Sequence, residues 1–505
     1  MKKKIFTHKE VSKKISILKK NKKKIVLCHG VFDLVHYGHI LHLNSAKKFG
    51  DFLIVSVTSD KFVNKGPGKP LFSQFQRMHY LSNLEMIDGV ILSNTASAID
   101  VLKLIRPNIY VKGPDYIKTR DDKTKKILLE KNLVKTFGGE IKYTEDKAYS
   151  SSSIINSTGL IYNQDQRKFL DKIKTKFGKD FIINKINELK KLNLLIIGEL
   201  IFDDYNFGNI IGKSGKEPHL VFEKKFNEIY VGGSGAIARH LSSFLKKIYL
   251  ISFFGKEAFY NKILKQNLNK NIQFLNRKPN KNFKSIVKSR FVDINSSYKM
   301  FGSYLLPDEI NSQYYLSLKN DIKKTLKKID HIIIADYGHN LLPKTISDLL
   351  IKSKKFVSVN CQINSSNITH QNLSKYIGVD LFVINESELR YDLRDKITKI
   401  ETLMKTFSKN QKIKNLIVTR GKNGSIYFGK KKFYYCPAFA IKSVDKVGAG
   451  DAMLSLTSSL LRNKIDPQIA LFVGSLASSI IVQSPGNKVS VQSSNLERII
   501  EFILK

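Results

Sequence analysis

Two histidines, His36 and His39, stand where a strand-like run, IVLCHG, gives way to a helical pattern. This position places both imidazoles at the positive end of a helix dipole, where unpaired backbone N–H groups also bind phosphate. A phosphate whose charge grows during an in-line displacement is stabilised there. The pair therefore predicts attack by a substrate phosphate on an α-phosphate, with pyrophosphate leaving. The alternative is a helix cap beside a surface histidine.

The residues around this histidine pair favour the catalytic interpretation. Gly30, Phe32 and Asp33 precede it in the order G-x-F-D-x-x-H-x-G-H, and the string resembles the nucleotidyltransferases that activate glycerol, ethanolamine, pantetheine and heptose phosphates. The resemblance implies that His36 and His39 are catalytic. It further implies nucleotide or phosphate contacts for Gly30, Phe32, Lys65, Arg77, Lys112, Ser150, Ser151 and Ser152, and a substrate contact for Asp115.

The substrate branch is indicated by two further strings. The run VKGPDY resembles the V-K-G-G-D-Y string of the heptose-phosphate branch, with Pro114 in place of the second glycine. The glycerol-phosphate branch carries an Arg-Thr pair before its serine run, whereas this chain has Glu145 and Asp146 there. The resemblance therefore implies a heptose-like sugar phosphate rather than glycerol phosphate.

A second constellation lies near the other end of the chain, where VGAGD opens an apolar helical run and ends at Asp451. Small residues let backbone N–H groups approach a transferring γ-phosphate, and an aspartate at the helix start can accept the proton of a sugar hydroxyl. The alternative is a glycine-rich turn with an aspartate cap. Without its context, the string does not decide between them.

The context is a motif-by-motif resemblance to the ribokinase-like carbohydrate kinases over residues 192–505. This resemblance implies that Asp451 is the catalytic base and that Glu388 acts on Mg²⁺ indirectly. The implied ATP contacts are Asn385, Glu388, Thr419, Gly421, Gly424, Gly448, Ala449 and Gly450. The implied sugar contacts are Asp203, Gly232, Gly233 and Arg239.

Within these kinases, the heptose-phosphate branch carries D-Y-x-K-G and D-P-K-G strings. This chain has DYGHN at 336–340 and NCQ at 360–362, so both lysines are replaced. That change implies an altered sugar or weakened activity.

Together the halves resemble bifunctional heptose-phosphate kinases and heptose-1-phosphate nucleotidyltransferases of lipopolysaccharide precursor synthesis, with the usual kinase-first order reversed. The implied activity is ATP-dependent phosphorylation of a sugar or sugar phosphate, and nucleotidyl transfer from ATP or CTP to a sugar 1-phosphate. One alternative is a glycerol-3-phosphate-like cytidylyltransferase fused to an unrelated sugar kinase. A more distant alternative is a non-catalytic nucleic-acid-binding or regulatory protein.

The elements that must position these residues follow from apolar runs alternating with helical patterns, which indicate βαβ units and parallel sheets. We predict an α/β protein with two doubly wound domains, a Rossmann-like transferase domain at 1–160 and a ribokinase-like domain at 192–505. A helical connector is expected at 161–191, and the alternative is that this segment forms the first helix of the second domain. The stretch 208–290, rich in alternating and aromatic residues, predicts a small β-lid over the sugar site.

Composition sets outer bounds on the function. The net charge of +43 comes from lysines spread along 505 residues, which indicates general composition rather than a nucleic-acid-binding patch. Three scattered cysteines indicate neither a disulfide framework nor a zinc site, and no run is apolar and long enough to cross a membrane. We expect a cytoplasmic protein that forms a homo-oligomer, with a dimer as the favoured form. Its expected partners are small sugar phosphates and nucleotides.

Overall fold

The structure is a computed structural model that describes residues 3–63, 65–95, 97–113, 126–144, 161–276, 283–307, 310, 312–369, 371–441 and 443–505. The chain divides into two compact units. The first comprises 1–167 with 501–503 and 505, and the second comprises 168–500 with 504. Both are α/β, as the alternation of strand and helix patterns predicts. Among the described residues, no helix is long and apolar enough to span a membrane.

The first unit is built on a five-stranded parallel sheet with the order β3-β2-β1-β4-β5. Its strands are β1 (Ile25–Gly30), β2 (Phe52–Thr58), β3 (Gly89–Ser93), β4 (Ile109–Lys112) and β5 (Glu140–Tyr143). Its helices are α1 (His8–Lys20), α2 (Tyr37–Lys47), α3 (Gln74–Ser82), α4 (Ile99–Ile105) and α5 (Lys126–Thr136). Strand order reverses beside β1, and ligands of such sheets bind at the carboxyl ends of the strands at this point.

Apolar side chains of the central strands cover both faces of this sheet, as expected of parallel strands buried on two sides. Val26, Cys28 and Val55 pack on one face with α2 and α3, while Leu27 and Ile54 pack on the other with α1 and α4. The carboxyl end of β1 is therefore held rigidly where the chain turns toward α2.

Two helices, α6 (Gln164–Phe177) and α7 (Lys179–Glu188), precede a nine-stranded sheet in the second unit. Its order is β10-β9-β6-β13-β14-β15-β16-β17-β18, parallel except for the last two strands. These strands are β6 (Asn193–Gly198), β9 (Lys247–Ser252), β10 (Ile272–Asn276), β13 (His331–Asp336), β14 (Phe356–Cys361), β15 (Leu381–Asn385), β16 (Asn415–Thr419), β17 (Ser425–Gly429) and β18 (Lys432–Cys436).

The remaining strands form a separate four-stranded sheet with the order β12-β11-β7-β8. They are β7 (Leu200–Lys213), β8 (Leu220–Gly233), β11 (Ile286–Asp293) and β12 (Lys299–Leu305). The sequence predicts a small sheet within 208–290, but the strands of the observed sheet are drawn from a longer stretch of the chain, residues 200–305. That stretch also supplies β9 and β10 to the large sheet, where β9 pairs in parallel with β6 and β10 pairs in parallel with β9.

Helices of the second unit complete the layers around the large sheet. They are α8 (Ser234–Leu241), α9 (Ala258–Asn267), α10 (Ser312–Leu326), α11 (Lys344–Ile351), α12 (Glu386–Asp392), α13 (Ile400–Asn410), α14 (Ala449–Arg462), α15 (Pro467–Ile481) and α16 (Ser493–Ile503), of which the last three residues of α16 belong to the first unit. Helix α14 is buried along most of its length, from Ala452 to Leu460. Its first turn, which carries Asp451, is thereby fixed in place.

Candidate active sites

The turn between β1 and α2 brings the two predicted catalytic histidines together. Phe32 adopts a left-handed backbone with φ of 50°, which reverses the chain after β1. His36 is the N-cap of α2, and its Nδ1 accepts the backbone N–H of Gly38 at 3.1 Å. The ring centroids of His36 and His39 lie 4.1 Å apart. His36 thus serves as a helix cap, as the alternative interpretation expects, while the same conformation places it against a half-buried His39.

Burial keeps both imidazoles neutral near pH 7. It lowers the pKa of His36, and it lowers the pKa of His39 to about 3 with smaller contributions from His36 and Lys65. Neutral imidazoles donate hydrogen bonds without carrying charge. Any positive charge needed for a polyphosphate must therefore come from other residues.

Two lysines near the histidines supply that charge. Burial lowers the pKa of Lys65 to about 8 and that of Lys69 to about 8, and the charge of Asp33 opposes both shifts. Asp33 is 2% exposed, and its Oδ1 accepts the backbone N–H of Phe72 at 3.0 Å. Lys69 has no role in the sequence prediction, because it lies outside the quoted strings. The arrangement can hold an anion of high charge beside the histidines.

Arg77 does not stand as a phosphate ligand in this structure, contrary to the prediction. Its side chain is fully buried, and its guanidinium donates to the carbonyls of Phe72 at 3.0 Å and Thr58 at 2.8 Å. It donates to the carbonyl of Val31 at 2.5 Å and pairs with Asp60 at 2.6 Å. Arg77 therefore ties the chain after β1 to the chain after β2.

Lys112 also differs from the prediction. Its Nζ lies 3.0 Å from Oε2 of Glu130, and both side chains are buried. Glu130 in turn accepts from the Tyr110 hydroxyl at 3.0 Å and the Ala98 backbone at 3.1 Å. Lys112 thus takes part in a buried structural network with Glu130 and Tyr110. The remaining predicted residues of this unit, Asp115, Ser150, Ser151 and Ser152, lie outside the described residues.

In the second unit, Asp451 lies in the first turn of α14. The preceding Gly448 has φ of 85°, and a Cβ there would lie 2.3 Å from Oδ1 of Asn487. A Cβ on Gly450 would meet nothing within 4 Å, so open space lies beside the helix start. The N-terminus of α14 is therefore accessible to a phosphate group.

The carboxylate of Asp451 has the properties of a general base. Burial raises its pKa to about 6, the charge of Asp203 adds to this shift, and a hydrogen bond from Tyr337 opposes it. The Tyr337 hydroxyl lies 2.7 Å from Oδ1 of Asp451. A base with a pKa near the working pH is efficient because it is deprotonated and still accepts a proton readily.

Several predicted sugar contacts meet beside this base. Asp203 accepts from Arg290 at 2.5 Å and from Nδ2 of Asn487 at 3.0 Å. A Cβ on Gly232 would lie 2.3 Å from Oδ2 of Asp203, so only glycine leaves this carboxylate in place. Gly233, with φ of 58°, begins α8 beside the carbonyl of Glu199.

Arg239, a predicted sugar contact, is bonded in this structure to the chain at 487–488. Its guanidinium donates to the backbone carbonyls of Asn487 at 2.8 Å and Lys488 at 3.5 Å. It therefore positions the segment that carries Asn487. Asn487 and Arg290 are absent from the sequence prediction because each stands alone, far along the chain from Asp203.

Five of the predicted nucleotide residues lie at or just after the carboxyl ends of β15 and β16. Asn385 and Thr419 are paired in register across these strands. Asn385 and Glu388 form a capping box at α12, with bonds of 2.8 Å and 3.1 Å between side chains and backbone N–H groups. Gly421 and Gly424 have φ of 55° and 80° and shape the turn after β16.

The sequence resemblance assigns Glu388 an indirect contact with Mg²⁺ in this region. Glu388 is buried, which raises the pKa of its carboxyl to about 7, and one of its oxygens caps α12. Among the described residues, no cluster of three or more His, Cys, Asp or Glu side chains suits a metal ion. Magnesium is commonly held by few protein carboxylates together with substrate phosphates.

Comparison with known proteins gives two family matches. A model described as pfkB family carbohydrate kinase matches residues 191–493, which is more than half of the chain. A model described as cytidylyltransferase-like matches residues 27–157. The transferase-like match precedes the kinase match, which is the order that the sequence motifs predict.

Individual relatives cover only parts of the chain. Bifunctional protein HldE of Campylobacter jejuni is 41% identical over 104 residues, 20% of this chain and 23% of its own length. Bifunctional protein HldE of Syntrophotalea carbinolica is 33% identical over 130 residues, 25% of each chain. This chain therefore spans about a quarter of the length of the curated relatives it matches. Phosphofructokinase-2 from Escherichia coli matches 62% of this chain and 99% of its own, at 14% identity and a TM-score of 0.49.

Proposed function

This chain belongs to the pfkB family of carbohydrate kinases, and on that premise we propose that it activates a sugar in two reactions at two sites. The second unit transfers the γ-phosphoryl group of MgATP to a hydroxyl of a sugar or sugar phosphate. The first unit condenses a sugar 1-phosphate with ATP or CTP and releases pyrophosphate. The product is a nucleotide sugar for surface polysaccharide synthesis.

In the proposed kinase reaction, Asp451 accepts the proton of the sugar hydroxyl as its oxygen bonds to the γ-phosphorus. The bond from the γ-phosphorus to the bridging oxygen breaks, and ADP leaves with the electron pair. Backbone N–H groups at the start of α14 face the phosphoryl oxygens, and the open space beside Gly450 admits them. Asp203 binds sugar hydroxyls in an orientation that Asn487 and Arg290 fix.

In the proposed transferase reaction, an oxygen of the sugar phosphate bonds to the α-phosphorus of the nucleotide. The bond between the α-phosphorus and its bridge to the β-phosphate breaks, and pyrophosphate leaves. The neutral imidazoles of His36 and His39 donate hydrogen bonds to the oxygens on which charge accumulates. Lys65 binds the triphosphate, and Lys69 adds to the positive charge around Asp33.

A heptose or related sugar is the proposed substrate class. The relatives named bifunctional protein HldE, the VKGPDY string and the missing Arg-Thr pair support it. The altered strings at 336–340 and 360–362 favour a kinase substrate that differs from heptose 7-phosphate. A glycerol-3-phosphate-like cytidylyltransferase joined to an unrelated sugar kinase is the second candidate, and the cytidylyltransferase-like family match favours it.

One observation carries the proposal: a histidine pair and a raised-pKa aspartate, each at a helix start, occur in two compact units of one chain. Mass spectrometry of products tests it directly. The purified chain is incubated with heptose, hexose and polyol phosphates, each with ATP or CTP. We expect a phosphorylated sugar with ADP and a nucleotide sugar with pyrophosphate. Formation of CDP-glycerol alone would favour the second candidate, and no product in any mixture would contradict both.

A further inference from the structure

We propose that Tyr337 is a positioning residue for Asp451, which holds one carboxylate oxygen so that the other receives the proton of the sugar hydroxyl. This inference rests on the proposed kinase reaction. The chain departs from the D-Y-x-K-G string two residues after this tyrosine, at His339, so Tyr337 lies beside an altered part of the loop.

The geometry of the contact is specific. Tyr337 directly follows β13, is 5% exposed, and places its hydroxyl 2.7 Å from Oδ1 of Asp451. Burial and the neighbouring Asp451 raise the pKa of the Tyr337 phenol well above its ordinary value. The phenol therefore stays protonated at any working pH and donates to the carboxylate. Because a carboxylate otherwise rotates about its terminal torsion, a donor on Oδ1 restricts the direction of Oδ2.

The loop that carries Tyr337 is fixed by a second buried carboxylate. Glu199 follows β6, is 0% exposed, and accepts the backbone N–H of Tyr337 at 2.9 Å. It also accepts the N–H groups of His339 at 3.2 Å and Leu341 at 3.4 Å. Three donors from one loop thus converge on one side chain. The position of the tyrosine ring is therefore set by the protein before any substrate binds.

Charged groups from several elements act on Asp451 together with this hydrogen bond. Asp203 of β7 raises its pKa, and Lys288 of β11 lowers it. Glu388 of α12 interacts electrostatically with the same carboxyl. Tyr337 is the group that donates a hydrogen bond to it directly. A hydrogen bond to the charged form of an acid lowers its pKa, so the loss of this hydroxyl raises the pKa of Asp451.

In the reaction, the proton of the attacking hydroxyl passes to Oδ2 of Asp451 while Oδ1 accepts from Tyr337. The sugar oxygen bonds to the γ-phosphorus, ADP leaves with the electrons of the broken bond, and Asp451 later releases the proton to solvent. The tyrosine neither gains nor loses a proton. Its effect is on the direction and the basicity of the acceptor.

The primary test is Tyr337→Phe, which removes only the hydroxyl. We expect kcat for sugar-dependent ADP formation to fall about tenfold at pH 7, with the KM for MgATP unchanged. In a plot of kcat against pH, the fall at low pH, here called the acid limb, should move to higher pH by about one to two pH units. This shift is expected for loss of a hydrogen bond to a charged group. The difference in kcat between this variant and the wild type should become smaller toward pH 9. An unmoved acid limb would overturn the proposal.

Tyr376→Phe is the matched control. The Tyr376 hydroxyl also lies 2.7 Å from a buried carboxylate, that of Asp336, and Tyr376 is 0% exposed. Asp336 directly precedes Tyr337 and its charge acts on Glu199, so the control removes an equivalent bond from a neighbouring carboxylate while the bond to Asp451 is kept. We expect its acid limb to stay at the wild-type position. If both variants move the limb equally, the effect is structural and the proposal is wrong.

Two further measurements keep the test decisive. Replacement of Tyr337 by 3,5-difluorotyrosine keeps the ring and strengthens the donor, so the acid limb should move down, the opposite of Tyr337→Phe. Carbon-13 NMR of aspartate-labelled protein, assigned with Asp451→Asn, reports the pKa of Asp451 without turnover. Equal values in wild type and Tyr337→Phe would overturn the inference. Absence of sugar phosphorylation by the wild type would instead contradict the proposed function, and the NMR comparison would still decide the role of Tyr337.

Discussion

Partial burial moves the titratable groups of both sites toward their uncharged forms. It raises the pKa of Asp451 to about 6 and lowers the pKa of His39 to about 3. The aspartate is thereby suited to accept a proton near neutral pH, whereas the histidine is suited to donate a hydrogen bond without charge. The same physical effect therefore prepares different residues for different reactions.

The raised pKa of Asp451 gives the kinase reaction a defined pH dependence. Only the deprotonated carboxylate accepts the hydroxyl proton, so kcat should fall as pH decreases through about 6 and level off above it. Initial rates of ADP formation at saturating substrates between pH 5 and 8 measure this limb. A flat profile over that range would show that proton transfer to Asp451 does not limit the reaction.

Arg77→Lys separates a structural role from a phosphate contact. Lysine keeps the charge but cannot reach the three carbonyls and the carboxylate that the guanidinium satisfies. We expect the free energy of unfolding of the first unit to fall by about 2–4 kcal/mol, because buried acceptors lose their donors. Urea denaturation measures this loss. Unchanged stability together with a raised KM for the nucleotide would instead indicate that Arg77 contacts a phosphate.

At the level of elements, both sites depend on how a helix begins. Helix α2 starts at a histidine cap after a left-handed turn, and α14 starts after a left-handed glycine. In α14 this conformation leaves open space at the helix start, where the phosphates are expected, whereas in α2 the N–H groups of Gly38 and His39 are bonded to His36 itself. The turn residues are thus as necessary to the proposed chemistry as the side chains.

Gly448→Ala tests the start of α14. The substitution puts a Cβ 2.3 Å from Asn487 at a positive φ, so we expect a loss of about 1–3 kcal/mol in stability and a lower kinase kcat. Gly450→Ala is the control for stability, because its Cβ meets nothing within 4 Å. Thermal unfolding of both variants measures the difference. Equal stability of the two variants would contradict the described geometry.

The elements and their order could be predicted from the sequence because apolar strand runs and helix patterns are local signals. The roles of Arg77, Lys112 and Arg239 could not, because each depends on partners distant along the chain. Arg77 meets carbonyls at 31, 58 and 72, and Arg239 meets carbonyls at 487 and 488. A motif states which residue recurs at a site, but only the fold shows whether it faces the ligand or the surrounding chain.

At the level of the whole molecule, one chain carries two units with separate sheets and separate sets of reactive side chains. The kinase family accounts for residues 191–493, and the cytidylyltransferase-like match accounts for 27–157. The positive charge is spread through both, which suits anionic sugar phosphates and nucleotides without indicating a nucleic-acid surface.

Substrate choice is a prediction about the whole molecule, because the proposed function assigns related sugar compounds to both units. We expect the transferase to accept a heptose or related sugar 1-phosphate and to reject glycerol 3-phosphate. Comparison of kcat/KM across these phosphates, measured by pyrophosphate release, checks the expectation. A higher kcat/KM for glycerol 3-phosphate than for every sugar 1-phosphate tested would favour the polyol-phosphate alternative.

The central claim is that two independent reactions occur at the sites of His39 and Asp451. The most direct measurement follows ADP and pyrophosphate in parallel for wild type, His39→Ala and Asp451→Asn. We predict that His39→Ala loses pyrophosphate release by about 10²–10³-fold and keeps sugar-dependent ADP formation. Asp451→Asn should lose ADP formation by about 10²–10⁴-fold and keep pyrophosphate release. Loss of both products in either folded variant, or of neither, would contradict the account.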